Sequence, residues 1–238
     1  FPYLNGERSN WAHTLQSTGT ALAKSVREHG KDSVALYLGN AAGHSLGAIL
    51  GATALQRGIG TRSMYSCLTL DNAGQFAVID AVFGNPMHTF TADYAGSDCV
   101  VLLGTNPLES QPSQAQSNPD GVRGLLKNRS VIVVDPVQTA TARSASLHLA
   151  PRPGGDVELL AYILARCVSA GRAAYGADGL RSALVGFTLA RAGQATDLPE
   201  SEIEALVERI LAAERPLIWS GLGVLLGRDG TLGYWLTL

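Results

Sequence analysis

Three short runs of uninterrupted apolar residues constrain this chain most: DCVVLLG (98–104), SVIVVD (130–135) and PLIWSG (216–221). A strand with one wet face alternates apolar and polar residues, whereas a strand covered on both faces has no reason to. Between and around these runs lie longer stretches with helical periodicity, most clearly 153–171 and 200–214. Buried strands alternating with helices describe parallel sheets with helices on both faces. The expected fold class is therefore α/β: parallel sheets flanked by helices in Rossmann-like dinucleotide-binding layers.

The rest of the 238 residues fits that frame. Trp11, Leu15, Leu22 and Val26 share one face of a helix over 11–29, with Gly30 placed to cap it. A short strand is expected in 33–40, ending at Gly39-Asn40, and a small-residue helix over 42–58. A strand leading into a loop follows in 61–70, then a helix over 71–84 with Asp71 at its start. Further on, a helix near 113–128 and a strand at 146–150 are expected, while 172–199 is rich in Ala and Gly and shows no clear pattern. This divides the chain into a first α/β lobe (1–94), a dinucleotide-binding α/β domain (95–204) and a return to the first lobe (205–238). The chain starts at Phe1 and stops inside an apolar helix, which reads as a truncated piece of something larger.

Composition excludes some partners. Charged residues make up 16% and the net charge is −2, so nothing suggests nucleic acid or an anionic membrane surface. The longest apolar runs fall far short of the roughly 20 residues that span a bilayer. Cys67, Cys99 and Cys167 are widely spaced and odd in number, and the five histidines are scattered, so neither a disulfide framework nor a zinc pattern is present. Free thiols fit a reducing compartment, giving a cytoplasmic expectation with the periplasm left open.

In an open parallel sheet, ligands bind beyond the carboxyl ends of the strands. Three such ends stand out. Gly104-Thr105-Asn106-Pro107 offers close backbone approach, side-chain donors and a helix start suited to phosphate; it equally suits a plain strand-to-helix turn. Asp135 ends the next strand, 31 residues after Gly104. It could accept from a ribose hydroxyl or merely cap a helix. Asp156, in RPGGD (152–156), could cap its own helix or accept two N–H donors from a purine edge, a pair that guanine has and adenine lacks. A fourth motif, GLGVLLG (221–227), is one residue off the dinucleotide fingerprint and carries little weight as a nicotinamide-cofactor site.

With these ends in order, the segments GSDCVVLLGTNPLESQP, VIVVDPVQTATARSASLHLAPRPGGDVELLAYIL and RPLIWSGLGV resemble the molybdopterin oxidoreductase family. That family includes formate dehydrogenases, dimethyl sulfoxide reductases and nitrate reductases. WAHTLQSTGTALAKSVREHGKDSVALYLGN resembles the family's opening helix and strand. The likeness runs through nearly the whole chain, and the Asp-Pro, Thr-Ala and Arg-Pro-Gly-x-Asp cluster is its most specific part.

The resemblance implies a molybdenum or tungsten bis(molybdopterin guanine dinucleotide) cofactor. It implies Gly104, Thr105 and Asn106 along the pyrophosphate, Asp135 at the guanosine, Asp156 at the guanine N–H groups, and Gly39-Asn40 toward the pterin. The family's metal ligand precedes a helix ending in Phe-Gly, here Phe83-Gly84, which points to Asp71 as metal ligand and catalytic residue. Cys67 is the runner-up and Ser66 a distant third. A carboxylate suits a high-valent oxo-metal, a thiolate a softer centre; Asp71 could also simply cap its helix, and Cys67 could be a small buried hydrophobe.

No cysteine cluster precedes residue 33, so an iron–sulfur cluster is expected only in an N-terminal part outside this chain, if at all. The implied partners are N- and C-terminal domains of the same protein and electron-transfer subunits, with no nucleic acid and no membrane contact. The implied activity is oxo, hydride or electron transfer at the metal in the whole protein, this piece alone being inactive. The alternative is a metal-free homologue serving as a subunit or scaffold of a larger complex.

Overall fold

The computed structural model describes residues 1–88, 90–110, 121–127, 129–172 and 176–238. These form two compact units, Phe1–Leu70 and Asp71–Leu238.

The first unit opens with a two-residue antiparallel hairpin, β1 (Tyr3–Leu4) and β2 (Glu7–Arg8). The long helix α1 (Trp11–His29) follows, with the Asn10 side chain capping its start and Gly30 (φ 84°) its end. A 3-10 turn, Lys31–Ser33, leads to β3 (Leu36–Leu38), then α2 (Asn40–Gly43), α3 (Leu46–Ile59) and β4 (Met64–Ser66). β3 and β4 pair in parallel. The buried Thr61 hydroxyl donates to Val34 O (2.8 Å), tying the segment before β4 to the one before β3. The apolar stripe of α1 is only half covered: Leu22 and Val26 are partly buried, while Trp11 and Leu15 stay 66% and 64% exposed.

A single helical turn, α4 (Leu68–Asp71), leads into α5 (Ala73–Phe83). The expected helix over 71–84 therefore begins later than its sequence suggests. Leu70 N–H bonds Cys67 O and closes a turn of its own, so Asp71 ends α4 and the N-cap position of α5 falls to Asn72.

The main sheet has four strands: β5 (Cys99–Leu103), β6 (Ser130–Val134), β7 (Leu147–Leu149) and β8 (Pro216–Ser220). Their order is β7-β6-β5-β8 and every pairing is parallel. All three apolar runs are strands, as expected. Successive β5 side chains enter different cores. Cys99, Val101 and Leu103 face α9 (Asp156–Ser169), α11 (Leu189–Thr196) and α12 (Glu200–Ala212). Val100 and Leu102 join Tyr94, Val131, Val133 and Ala142 on the opposite face. Two covered faces explain the absence of alternation. Burying each leucine completely is worth about 1.5–3 kcal/mol.

β8 is an edge strand, half-buried along its length, and begins with Pro216, which an edge tolerates. Its register is set from β5, since the Asp98 carboxylate accepts from Glu214 N–H (2.8 Å) and Arg215 N–H (3.0 Å).

The connections carry α6 (Pro107–Ser110), α7 (Gly121–Leu126), α8 (Ala140–Arg143) and α10 (Ala177–Leu184). Of the helix expected near 113–128, residues 113–120 and 128 lie outside the described residues, and 121–126 is helical. The 172–199 stretch, which shows no pattern in sequence, holds α10 and α11. Their apolar faces close on α9: Leu184 packs with Ala161 and Val168, and Ala192 with Leu159. The chain ends with α13 (Leu222–Leu225) and α14 (Gly230–Thr237), the latter against α5, where Tyr234 meets Val78 and Ile79.

Candidate functional site

Because β5 to β8 all run one way, their carboxyl ends share one edge of the sheet, and backbone bonds join them. Gly104 N–H donates to Val134 O (2.9 Å) and Asp135 N–H to Leu149 O (3.0 Å). From the other side, Gly221 N–H donates to Leu103 O (2.9 Å) and Gly223 N–H to Gly104 O (3.1 Å). The strand order reverses between β5 and β8, the switch point at which α/β sheets open a crevice.

At that switch point glycine packs against glycine. Gly104 has φ +57°, and a Cβ on it would lie 2.9 Å from Gly223 Cα and 3.0 Å from Val224 N. A Cβ on Gly221 would lie 2.6 Å from Thr105 Cβ. The Gly-x-Gly at 221–223, a weak fingerprint in sequence, thus belongs to this edge after all, as the surface on which the β5 turn rests.

Thr105 is buried. Asn106 is committed within the fold: its Nδ2 donates to Glu109 Oε2 (2.7 Å) and its Oδ1 accepts from Thr141 Oγ1 (2.6 Å). Its carbonyl accepts from Glu109 and Ser110 N–H, and Pro107 opens α6. The side chain that accepts from the start of α6 is Thr141, whose Oγ1 takes Leu108 N–H (3.2 Å), so Asn106, Glu109 and Thr141 together fix this turn. Asp135 is half-buried; its Oδ1 accepts from Val137 N–H (2.9 Å), and its carbonyl bonds His148 Nε2 (2.8 Å).

Asp156 is the first residue of α9, where backbone N–H groups favour a carboxylate. It is half-buried, and burial pushes its carboxyl above the usual range despite the nearby N–H groups of Asp156 and Gly154. Among the described residues, no side chain bonds to it. The hollow lined by Asp156 and Gly227–Gly230 measures only about 10 Å³, too small for a base. Pro153 and Gly154, just before it, are exposed.

The first unit has a cavity of its own, of about 540 Å³, at the carboxyl ends of β3 and β4. Gly39, Asn40, His44, Tyr65, Ser66 and Cys67 are among the residues lining it. Gly39 is the N-cap of α2, and a Cβ on it would meet nothing within 4 Å. The fold brings Gly39, Asn40 and Cys67 to one hollow. Asp71 is not part of its lining; its Oδ1 accepts from Asn72 Nδ2 (2.7 Å). Among the described residues, no three His, Cys, Asp or Glu side chains could hold a metal together. His44, Tyr65, Gly221 and Gly223 were not singled out in sequence as parts of these sites. Only the Gly-x-Gly carried a signal.

The sequence matches the molybdopterin oxidoreductase profile over residues 5–237. The chain belongs to the molybdopterin oxidoreductase family. Among its relatives is a nitrate reductase of Klebsiella oxytoca, 27% identical over 235 residues, which cover 94% of this chain and 26% of that protein. Another is the F420-dependent formate dehydrogenase 2 subunit alpha of Methanococcus maripaludis, 26% identical over 173 residues, covering 69% of this chain and 25% of that protein. The chain thus spans about a quarter of these relatives' length. In structure it resembles acetylene hydratase from Pelobacter acetylenicus, with a TM-score of 0.71 at 17% identity, covering 97% of this chain and 32% of that one. That likeness speaks for the fold. A molybdopterin oxidoreductase domain accounts for the parallel sheet flanked by helices.

Proposed function

We propose that this chain is the cofactor-binding core of a molybdenum or tungsten oxidoreductase that holds the pterin as its guanine dinucleotide. The observation that carries this reading is the sheet order β7-β6-β5-β8 with all strands parallel, which turns Gly104, Asp135 and the Asp156 loop toward one edge in a member of this family. When bound, the metal supplies a centre that cycles between oxidation states while an oxo group, a hydride or electrons move. The protein supplies position and electrostatics.

In this reading Asp156 accepts the paired N–H donors of guanine. The structure fits that role chemically, since the carboxylate has no described side-chain partner and stands at a helix start. The Gly104-Thr105 turn faces the pyrophosphate with its backbone. Asn106 acts behind it by fixing α6, because its side chain is already engaged. Asp135 keeps one oxygen for a ribose hydroxyl while the other caps its turn. Gly39 and Asn40 line the hollow on the pterin side.

With no trio of such donors among the described residues, a metal would draw fewer than three ligands from them and others from the cofactor. Asp71 and Cys67 remain the two candidates. The hollow favours Cys67, which lines it together with Gly39 and Asn40. Electron-transfer subunits, completing domains and lobes divided near 94/95 and 204/205 belong to the same proposal. No described helix is long and apolar enough to cross a membrane.

The deciding experiment is X-ray absorption at the metal in the holoprotein. Cys67→Ala is expected to remove one sulfur scatterer and Asp71→Ala to leave the spectrum unchanged. The reverse result assigns the ligand to Asp71, and two unchanged spectra remove both. Guanine nucleotide released from the denatured holoprotein reports the dinucleotide form, and a pterin without a guanine nucleotide would end that part of the reading.

A further inference from the structure

Resting on the guanine reading of Asp156, we infer that Arg152 is a positioning residue that fixes the guanine-recognition loop by clamping it to the carboxyl end of α11. Arg152 and Asp156 flank Pro153-Gly154-Gly155. The Arg152 N–H donates to Thr196 O (2.6 Å). Its guanidinium donates through Nη2 to Gln194 O (3.0 Å) and Ala195 O (3.1 Å), two of the carbonyls that the end of a helix leaves without partners. Nη1 stands 3.4 Å from Asp197 Oδ2. Asp197 itself takes the left-handed conformation that ends α11 (φ 56°). A planar, permanently charged fork at a helix carboxyl end satisfies both the geometry and the dipole there.

Gly155 completes the clamp. A Cβ on it would lie 2.7 Å from Ala195 O and 2.8 Å from Thr196 Cγ2, so the loop is in backbone contact with α11 immediately before Asp156. Thr196 is fully buried, its hydroxyl bonded back to Ala192 O (2.7 Å), which makes the platform rigid. The Arg152–Asp197 ion pair is exposed and contributes little. The carbonyl bonds and the glycine contact hold the loop. Within the unpatterned 172–199 segment, α11 thus serves as the anvil against which the Asp156 loop is set.

The test uses the holoprotein and follows guanine nucleotide retained through dialysis for Arg152→Ala, Asp156→Ala and the double variant, with melting temperatures measured alongside. Arg152→Ala is expected to release the nucleotide about tenfold faster, the equivalent of one lost charged hydrogen bond. The double variant is expected to release it no faster than Asp156→Ala alone, because Arg152 acts through Asp156. Full retention in Arg152→Ala, with loss in Asp156→Ala, overturns the clamp while leaving the guanine reading intact. Multiplying losses in the double variant also overturn it, since Arg152 would then act independently. Full retention in Asp156→Ala overturns the guanine reading itself, and the clamp with it. Should Arg152→Ala not fold, Arg152→Lys replaces it: a point charge is expected to rescue retention only in part, and release at the parent rate would refute the role of the fork.

Discussion

Gly104→Ala tests whether the end of β5 is dictated by the fold or reserved for a ligand. At φ +57° an alanine sacrifices about 1–2 kcal/mol of backbone energy. Its methyl would stand 2.9 Å from Gly223 Cα, 3.0 Å from Val224 N and 3.1 Å from Gly223 C. Non-bonded carbons settle at about 3.5–4.0 Å, so the 221–224 turn must back away by roughly 0.6 Å or more. Every atom in the way is backbone, so no rotamer change relieves the contact. Overpacking of this kind costs about 1–3 kcal/mol. The sum, about 2–5 kcal/mol, should lower the melting temperature by roughly 5–15 °C for a chain of this size. Thermal unfolding followed by circular dichroism measures it, with Gly39→Ala as the control. Gly39 has φ −73° and open space where a Cβ would go, so its variant should melt within about 2 °C of the parent, as neutral surface substitutions do. If Gly104→Ala also melts within that margin while cofactor is lost, the glycine serves a ligand, and the steric argument is wrong.

The remaining predictions are briefer. In Asp156 burial raises the folded carboxyl above its unfolded value, so its contribution to stability is complete below the usual carboxylate range and is lost as pH climbs through the raised value. Asp156→Asn should therefore raise the melting temperature of cofactor-free protein at pH 7, with the gap closing on acidification; a lower melting temperature at pH 7 would contradict this. Leu102→Ala, at a fully buried position of the central strand, should cost about 2–5 kcal/mol in urea unfolding with an unchanged slope. Asn106→Ala should cost about 1–2 kcal/mol, since it removes the acceptor of the buried Thr141 hydroxyl, whose oxygen in turn accepts from Leu108 N–H at the start of α6. A loss below about 0.5 kcal/mol would show that Thr141 finds another partner.

The parts of the fold that sequence made plain are those where one residue type answers one physical demand. Val100, Val101, Leu102 and Leu103 need no alternation because each face of β5 meets a core of its own. The helix at 156–169 is recognisable because large apolar side chains, among them Leu159, Leu160 and Ile163, mark the faces it buries. Where small residues do the packing, that signal vanishes. Ala192 is fully buried in α11 and Gly193 lies beside it, so the segment has contacts without large side chains to mark them. Asp71 shows another limit: whether an acidic residue starts a helix or ends the turn before it depends on one backbone bond, Leu70 N–H to Cys67 O, which no local pattern announces.

The site was legible to the extent that residue type decides chemistry, and illegible where a neighbour decides it. Asp156 and Asn106 both end a loop and begin a helix, and sequence treats them as equivalent polar groups. Packing separates them. Asn106 meets Glu109 and Thr141 and uses both ends of its amide within the fold, whereas Asp156 starts its helix with no described side chain to receive it and is held half out of water. The first arrangement stabilises, since every polar group is matched. The second destabilises the cofactor-free protein, because burial disfavours the charge. In the reading proposed above, the guanine N–H groups would supply the donors that offset this cost. The same logic divides the glycines: Gly104, Gly221 and Gly223 are tight against one another and answer to the fold, while a Cβ on Gly39 would meet nothing within 4 Å, so packing does not demand a glycine there.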